Sequence, residues 1–225
     1  MIGFKVLKRR RAVPAELALQ FIGVPVANVS DCMSRLFAGG SRLRPMHSGR
    51  PMSGPALTVR TRPGDNLMIH KALQMAAPGD IIVVDAGGDL TNAVIGELVV
   101  GVAIQRELGG FVIDGAIRDA RALREGDFPV FAAGITHRGP YKDGPGEINV
   151  PIAIDGMVIE PGDLIIGDDD GVLCVPFDHV QSVLAAAKKK SDAEAVTAKE
   201  IASGQRDTAW IDATLKRLGC VIEAQ

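Results

Sequence analysis

The run Ile81-Ile82-Val83-Val84, entered from the turn Pro78-Gly79-Asp80, constrains this chain more than any other feature. A strand of successive β-branched apolar residues has no polar face, so it must be covered on both sides. Phe111-Val112-Ile113 is a second such strand. Leu164-Ile165-Ile166, entered from a like turn at Pro161-Gly162-Asp163, is a third. Helical spacing falls between them, over Leu67 to Met75 and from about Gly96 to Leu108. That alternation predicts an α/β fold. Several strands are joined by turns too short for a crossover helix, so the sheets are expected to be mixed.

The remaining elements read less sharply. Pro14 to Ile22 predicts a helix, and Cys32 to Phe37 a short one with Ser30 or Asp31 as N-cap. Arg44 to Pro55 is rich in Pro, Gly and Ser and predicts loop. Ala56 to Thr61 and Val130 to Ala133 predict strands. So do Ile148 to Ile154 and Gly171 to Val175. Thr136 to Gly146 is a long loop, a type that is usually functional. Helix is expected from Phe177 to about Gly204 and again from Thr208 to Leu218. The organisation expected is one domain over 1–225, with a core over about 20–175 and a helical extension over about 176–225.

Composition narrows the function classes. With 225 residues and 47% hydrophobic residues the chain can bury a substantial core, and its charged fraction of 23% is ordinary. A net charge of −2 gives no basic excess to drive counterion release, so no nucleic-acid partner is expected. The basic run Lys8-Arg9-Arg10-Arg11 reads as a solvated stretch. Cys32, Cys174 and Cys220 form no CxxC pair and read as free thiols. No leader or membrane-spanning pattern is evident, so a cytoplasmic protein that engages no membrane is expected.

Three segments could carry chemistry. Gly87-Gly88-Asp89 to Gly96-Glu97 joins a buried strand to a helix start, where free N–H groups can hold a small carboxylate. It has neither GxGxxG nor Gly-Lys-Ser/Thr spacing, so dinucleotide and ATP sites are excluded. A tight turn needing glycine explains it equally well. Asp114-Gly115-Ala116-Ile117-Arg118-Asp119 follows the strand Phe111-Val112-Ile113, at the strand end where ligands collect in α/β sheets. There Arg supplies a permanent planar cation and Asp a hard oxygen ligand for Mg²⁺ or Mn²⁺. A surface ion pair with an N-cap is the structural alternative. Gly167-Asp168-Asp169-Asp170-Gly171 lacks EF-hand spacing and reads as a solvated turn. No histidine pair has zinc spacing, and His137, in the long loop, is the one histidine worth retaining as a candidate. Cys32 could lie at a helix N-terminus with a lowered pKa, although a buried inert thiol is the plainer reading.

Taken together, Pro78–Asp85, Gly96-Glu97-Leu98 and Gly109–Asp119 resemble the 4-hydroxy-4-methyl-2-oxoglutarate/4-carboxy-4-hydroxy-2-oxoadipate aldolases. These are metal-dependent pyruvate aldolases related to the regulators of ribonuclease E activity. Arg138–Pro151 and Pro161–Gly171 are similar to the same family, so the resemblance covers roughly residues 20 to 205. It implies a compact α-β-β-α sandwich assembled as a homotrimer or hexamer with sites between subunits. It further implies a divalent metal, Mg²⁺ or Mn²⁺, held by Asp119, and a small 2-oxo acid substrate bound by Arg118. The backbone of Gly96, Glu97, Leu98 and Val99 would hold the pyruvyl carboxylate. Arg118, Glu97 and Glu194 would be catalytic, with Glu194 and Asp31 reaching a neighbouring subunit's site. The implied activities are aldol cleavage and oxaloacetate decarboxylation. The alternative is a non-catalytic regulator that binds a ribonuclease or another protein. The related regulators lack the Asp after the Arg, which this chain has. The tail after Gly204 is left unassigned.

Overall fold

The computed structural model describes residues 2–223. In chain order its elements are β1 (Phe4–Val6), α1 (Ala15–Leu19), α2 (Val26–Cys32), β2 (Arg44–Pro45), β3 (Met52–Thr61), α3 (Leu67–Met75) and β4 (Ile81–Asp85). Then come β5 (Ala93–Ile95), α4 (Glu97–Gln105), β6 (Gly110–Ile117), α5 (Ala120–Glu125), β7 (Val130–Ile135) and β8 (Gly146–Ile148). The last are β9 (Ile152–Ile154), β10 (Met157–Ile159), β11 (Leu164–Asp168), β12 (Gly171–Val175), α6 (Val180–Ala202) and α7 (Ala209–Arg217). The chain divides into two compact units between Ala187 and Lys188.

The first unit is built on a mixed sheet ordered β1-β8-β3-β4-β6-β7-β2. Its centre is parallel, β3-β4-β6-β7, while β8 runs antiparallel to β3. β4 shows why its sequence must be covered twice. Ile82 and Val84 pack on one face with Ile69, Leu73 and Val100 of α3 and α4. Ile81 and Val83 pack on the other face with Ile152, Met157 and Ile165 of the second β layer. Beyond that layer Ala18, Val29 and Leu184 of α1, α2 and α6 close a third cluster over Leu164, Ile166 and Leu173. The layers therefore run helix, sheet, sheet, helix, as the sandwich expectation required. Burial of this kind stabilises by roughly 25 cal/mol per Å² of apolar surface.

Several element boundaries differ from the sequence reading. β3 begins at Met52 within the expected loop, because Met52–Pro55 pair antiparallel with β11 before Ala56–Arg60 pair with β4. β6 continues to Ile117, so Asp114 to Ile117 are strand, interrupted by a register shift between Ile113 and Ala116 against β7. The expected helix over Cys32 to Phe37 lies earlier, at Val26–Cys32. Pro25 opens it, Asp168 Oδ2 accepts the Val26 N–H at 2.9 Å, and positive φ at Ser34 and Arg35 ends it. Cys32 is thus the last residue of α2, at the negative end of the helix dipole. That position removes the reason for expecting an activated thiol. β5, β9 and β10 are short strands, of which β5 and β10 carry no clear sequence pattern.

The second unit comprises the remainder of α6 and α7. Within it Lys190 and Glu194 pair at 3.2 Å across one helical turn. No helix among the described residues is long and apolar enough to cross a membrane.

Candidate active site

The carboxyl end of β6 carries Arg118 and Asp119. The Arg118 N–H donates to Ile95 O at 3.0 Å, which fastens the end of β6 to β5. Asp119 then turns into the left-handed region, with φ 55° and ψ 34°, and opens α5. Asp is among the few side chains that tolerate this conformation. The turn brings the carboxylate back beside its neighbour, with Asp119 Oδ2 at 3.6 Å from Arg118 Nε. Both side chains are partly exposed, at 41% and 40%. The register shift in β6 sits just before them, in keeping with the use of bulges to re-aim side chains near a site.

α4 starts directly opposite. Asp119 Oδ2 accepts the Glu97 N–H at 3.0 Å. Gly96 permits this approach, because a Cβ there would collide with Asp119 Oδ2 and lie 2.8 Å from Arg118 Cγ. Its φ of −160° is ordinary extended backbone, so closeness and not conformation demands the glycine. The Val99 and Val100 N–H groups donate to Gly96 O at 3.1 Å. Glu97's N–H is thus given to Asp119, and Leu98 follows it in the first turn of α4. Glu97 and Leu98 are exposed, and Glu97 lies on the first turn of α4.

Arg118 and Asp119 share a cavity of about 300 Å³ with Ile135, Thr136 and His137. The wall from Ile135 to Gly139 is tied down closely. Thr136 N–H donates to Ile117 O at 3.0 Å and Ala93 N–H to Arg138 O at 2.8 Å. Asn92 Nδ2 donates to Gly139 O at 2.6 Å. A Cβ on Gly139 would stand 3.3 Å from Arg118 Nη1, so this loop lies against the guanidinium. Further along, the buried Asp65 carboxylate accepts the N–H groups of Leu67, Asp143 and Gly144 at 2.9, 2.7 and 2.9 Å. Arg62 Nη2 adds a contact to it at 3.1 Å.

The structure brings Gly96, Glu97, Arg118 and Asp119 together, while Leu98 and Val99 line a separate hollow with His70, Leu73 and Arg106; to the site it adds Ile135, Thr136 and His137. The first two of these last three carry no sequence signal beyond following a strand. Asp31 pairs with Arg35 at 2.7 Å in α2. Glu194 belongs to the second unit. Asp114 does not face the Arg118–Asp119 cavity. It is buried in β6, where Arg42 Nη2 reaches it at 2.6 Å and Asp155 at 3.0 Å. Burial raises the Asp114 carboxyl above its ordinary value, against the pull of Arg42 and with the help of Asp85 and Asp155. Gly87 and Gly88 have φ of 67° and 69°, and Arg42 occupies the space a Gly88 side chain would need, so this turn requires glycine for structural reasons. Asp168 closes the β11–β12 hairpin and accepts the Asp170 N–H at 3.0 Å, as a turn residue does.

Asp119 Oδ2 is engaged by Glu97, and Oδ1 takes no hydrogen bond from the described residues. No group of three or more His, Cys, Asp or Glu side chains able to hold a metal occurs among the described residues. That excludes a closed zinc-type cage within them. A single half-exposed carboxylate fits the other common arrangement, in which Mg²⁺ or Mn²⁺ takes one protein carboxylate and completes its shell with water and substrate.

Residues 26–174 match the RraA-like family, described as Aldolase/RraA, and the chain belongs to that family. Among its relatives is a protein of Halalkalibacterium halodurans named "Putative 4-hydroxy-4-methyl-2-oxoglutarate aldolase". The two are 46% identical over 171 residues, 76% of this chain and 81% of that one. Among solved structures, Streptomyces coelicolor RraAS2, "an unusual member of the RNase ES inhibitor RraA protein family", superposes with a TM-score of 0.75. That match has 28% identity and covers 83% of this chain and 97% of the other. An uncharacterized protein from Pseudomonas syringae shares the fold, with a TM-score of 0.77 at 24% identity over 87% of this chain and 96% of that one.

Proposed function

We propose that this chain is a divalent-metal-dependent carbon–carbon lyase. It cleaves 4-hydroxy-2-oxo acids to pyruvate and a second carbonyl compound, and it decarboxylates oxaloacetate. The observation that carries the reading is the adjacency of Arg118 and Asp119 in one small cavity at the carboxyl end of β6. The name of the Halalkalibacterium relative supports an aldolase, with 4-hydroxy-4-methyl-2-oxoglutarate as the first substrate to try.

Asp119 would hold Mg²⁺ or Mn²⁺, which when bound supplies Lewis acidity toward the 2-oxo and carboxylate oxygens of the substrate. Arg118 provides a fixed positive charge beside the oxygen on which negative charge grows as the C3–C4 bond breaks. Such a charge accelerates because its interaction is stronger in the transition state than with the bound substrate. The Leu98 N–H, at the positive end of α4, donates to the substrate carboxylate. The C3–C4 electron pair passes into the pyruvate enolate while C4 becomes a carbonyl. Glu97 receives the C4 hydroxyl proton through water and returns it to C3. Loss of CO₂ from oxaloacetate yields the same enolate, so both reactions share one site.

The active form is a homotrimer or hexamer, in which Glu194 and Asp31 act from a neighbouring copy. Apolar residues exposed on α4 beside the site support such contact, with Leu98 exposed by 79% and Val102 by 42%. A second reading, a regulator of a ribonuclease, draws on the likeness to RraAS2. Pyruvate release from 4-hydroxy-4-methyl-2-oxoglutarate and from oxaloacetate, with Mg²⁺ or Mn²⁺ and then with EDTA, separates the two. EDTA-sensitive release supports the lyase. No release with any metal refutes it.

A further inference from the structure

We infer that His137 selects the distal group of the substrate, donating an imidazole N–H to a second carboxylate at the end remote from the 2-oxo acid. This rests on the proposed lyase reading and assigns a specificity residue within it. The cavity is lined by two segments of different chemistry. One lining segment carries Arg118 and Asp119 side by side; the other carries Ile135, Thr136 and His137. No acidic residue occurs between Ile135 and Lys142, a stretch that carries His137, Arg138 and Lys142. Asp89, on the loop before Asn92, feels the positive charge of Arg138. Cationic side chains therefore flank His137 along the chain, and Ile135 offers a partly exposed apolar surface for the carbon chain leading to it.

The backbone that carries the imidazole is also tied down. Its neighbours Thr136 and Arg138 are bonded to Ile117 and Ala93, at 3.0 and 2.8 Å, so the backbone at His137 cannot swing away. A neutral or a charged imidazole has a ring N–H to give, so recognition does not depend on its protonation state. A cavity of about 300 Å³ suits a small 2-oxo diacid of five or six carbons.

The test is equilibrium binding measured by calorimetry in the presence of Mg²⁺. The ligands are 2-oxoglutarate, which has the second carboxylate but no C4 hydroxyl to cleave, and 2-oxobutyrate, which lacks that carboxylate. His137→Ala is expected to weaken 2-oxoglutarate about tenfold or more and to leave 2-oxobutyrate within about twofold. His137→Gln, which keeps a side-chain N–H, is expected to recover part of the loss. Equal affinities of wild type and His137→Ala for 2-oxoglutarate would overturn the inference, as would an equal loss for both ligands. Failure of the wild-type protein to bind either ligand would instead sink the lyase reading on which it stands.

Discussion

Asp119 accepts the backbone N–H of Glu97 through the carboxylate that also lies against Arg118. One side chain thus ties the start of α4 to the end of β6 and provides the only carboxylate among the described residues that line the cavity with Arg118. Asp119→Asn keeps an oxygen for the Glu97 N–H and removes the charge. We expect metal-dependent pyruvate release to be abolished while the denaturation midpoint stays close to wild type. Asp119→Ala should lose the same activity and in addition about 1 kcal/mol of stability, the usual worth of one such hydrogen bond. Activity assays beside urea titrations check both.

Gly96 makes this approach possible. Gly96→Ala would drive a methyl group into Asp119 and Arg118 without straining the backbone. The expected result is a fall in kcat/KM on the order of a hundredfold, since displacements of about 1 Å in a reacting group cost that much. The thermal midpoint should change little. A variant with full activity would show that the contact is dispensable.

Asp114 gives a pH-dependent prediction. Its folded pKa is raised above 3.8, chiefly by burial, so the folded protein binds this proton more tightly than the unfolded chain does. The stability it contributes is complete below the unfolded value and is lost as pH rises through the folded one. Asp114→Asn removes that loss. The stability of Asp114→Asn relative to wild type is therefore expected to increase as pH rises from below the ordinary Asp value toward neutrality. Melting curves of the two proteins across that interval read the sign directly.

Asp168 supports α2 from a distance, through the Val26 N–H. Asp168→Ala is expected to destabilise the first unit by about 1 kcal/mol, the typical cost of losing an acceptor at a helix start. Oxaloacetate decarboxylation should be retained under native conditions. Denaturant midpoints together with the activity assay distinguish this from a role in the site.

How far the sequence reveals this molecule depends on how local each cause is. Ile81–Val84 carries its own instruction, and its two faces are covered by separate clusters as its pattern demands. α3, α4 and β11 follow equally from local periodicity. The path of β3 does not, because Met52–Pro55 are ordered by pairing with β11, more than a hundred residues later. α2 was displaced for a similar reason, since its start depends on the remote carboxylate of Asp168. In the site, the neighbours Arg118 and Asp119 stand together in the sequence itself, and their likeness to an aldolase motif drew attention to them. Their contact with Gly96 and Glu97, and the cavity wall at Ile135 to His137, arise from tertiary packing that no single segment encodes.

The knot at Asp65 extends its influence beyond the loop it fastens. Held by Asp143 and Gly144 at one end and by Arg138 and Gly139 at the other, the segment behind His137 is a rigid shelf rather than a closing flap. Which side chains face the cavity there is then set by the residue types on the shelf. Exchanging one or two of them would change the chemistry of that wall while the scaffold beneath stayed untouched.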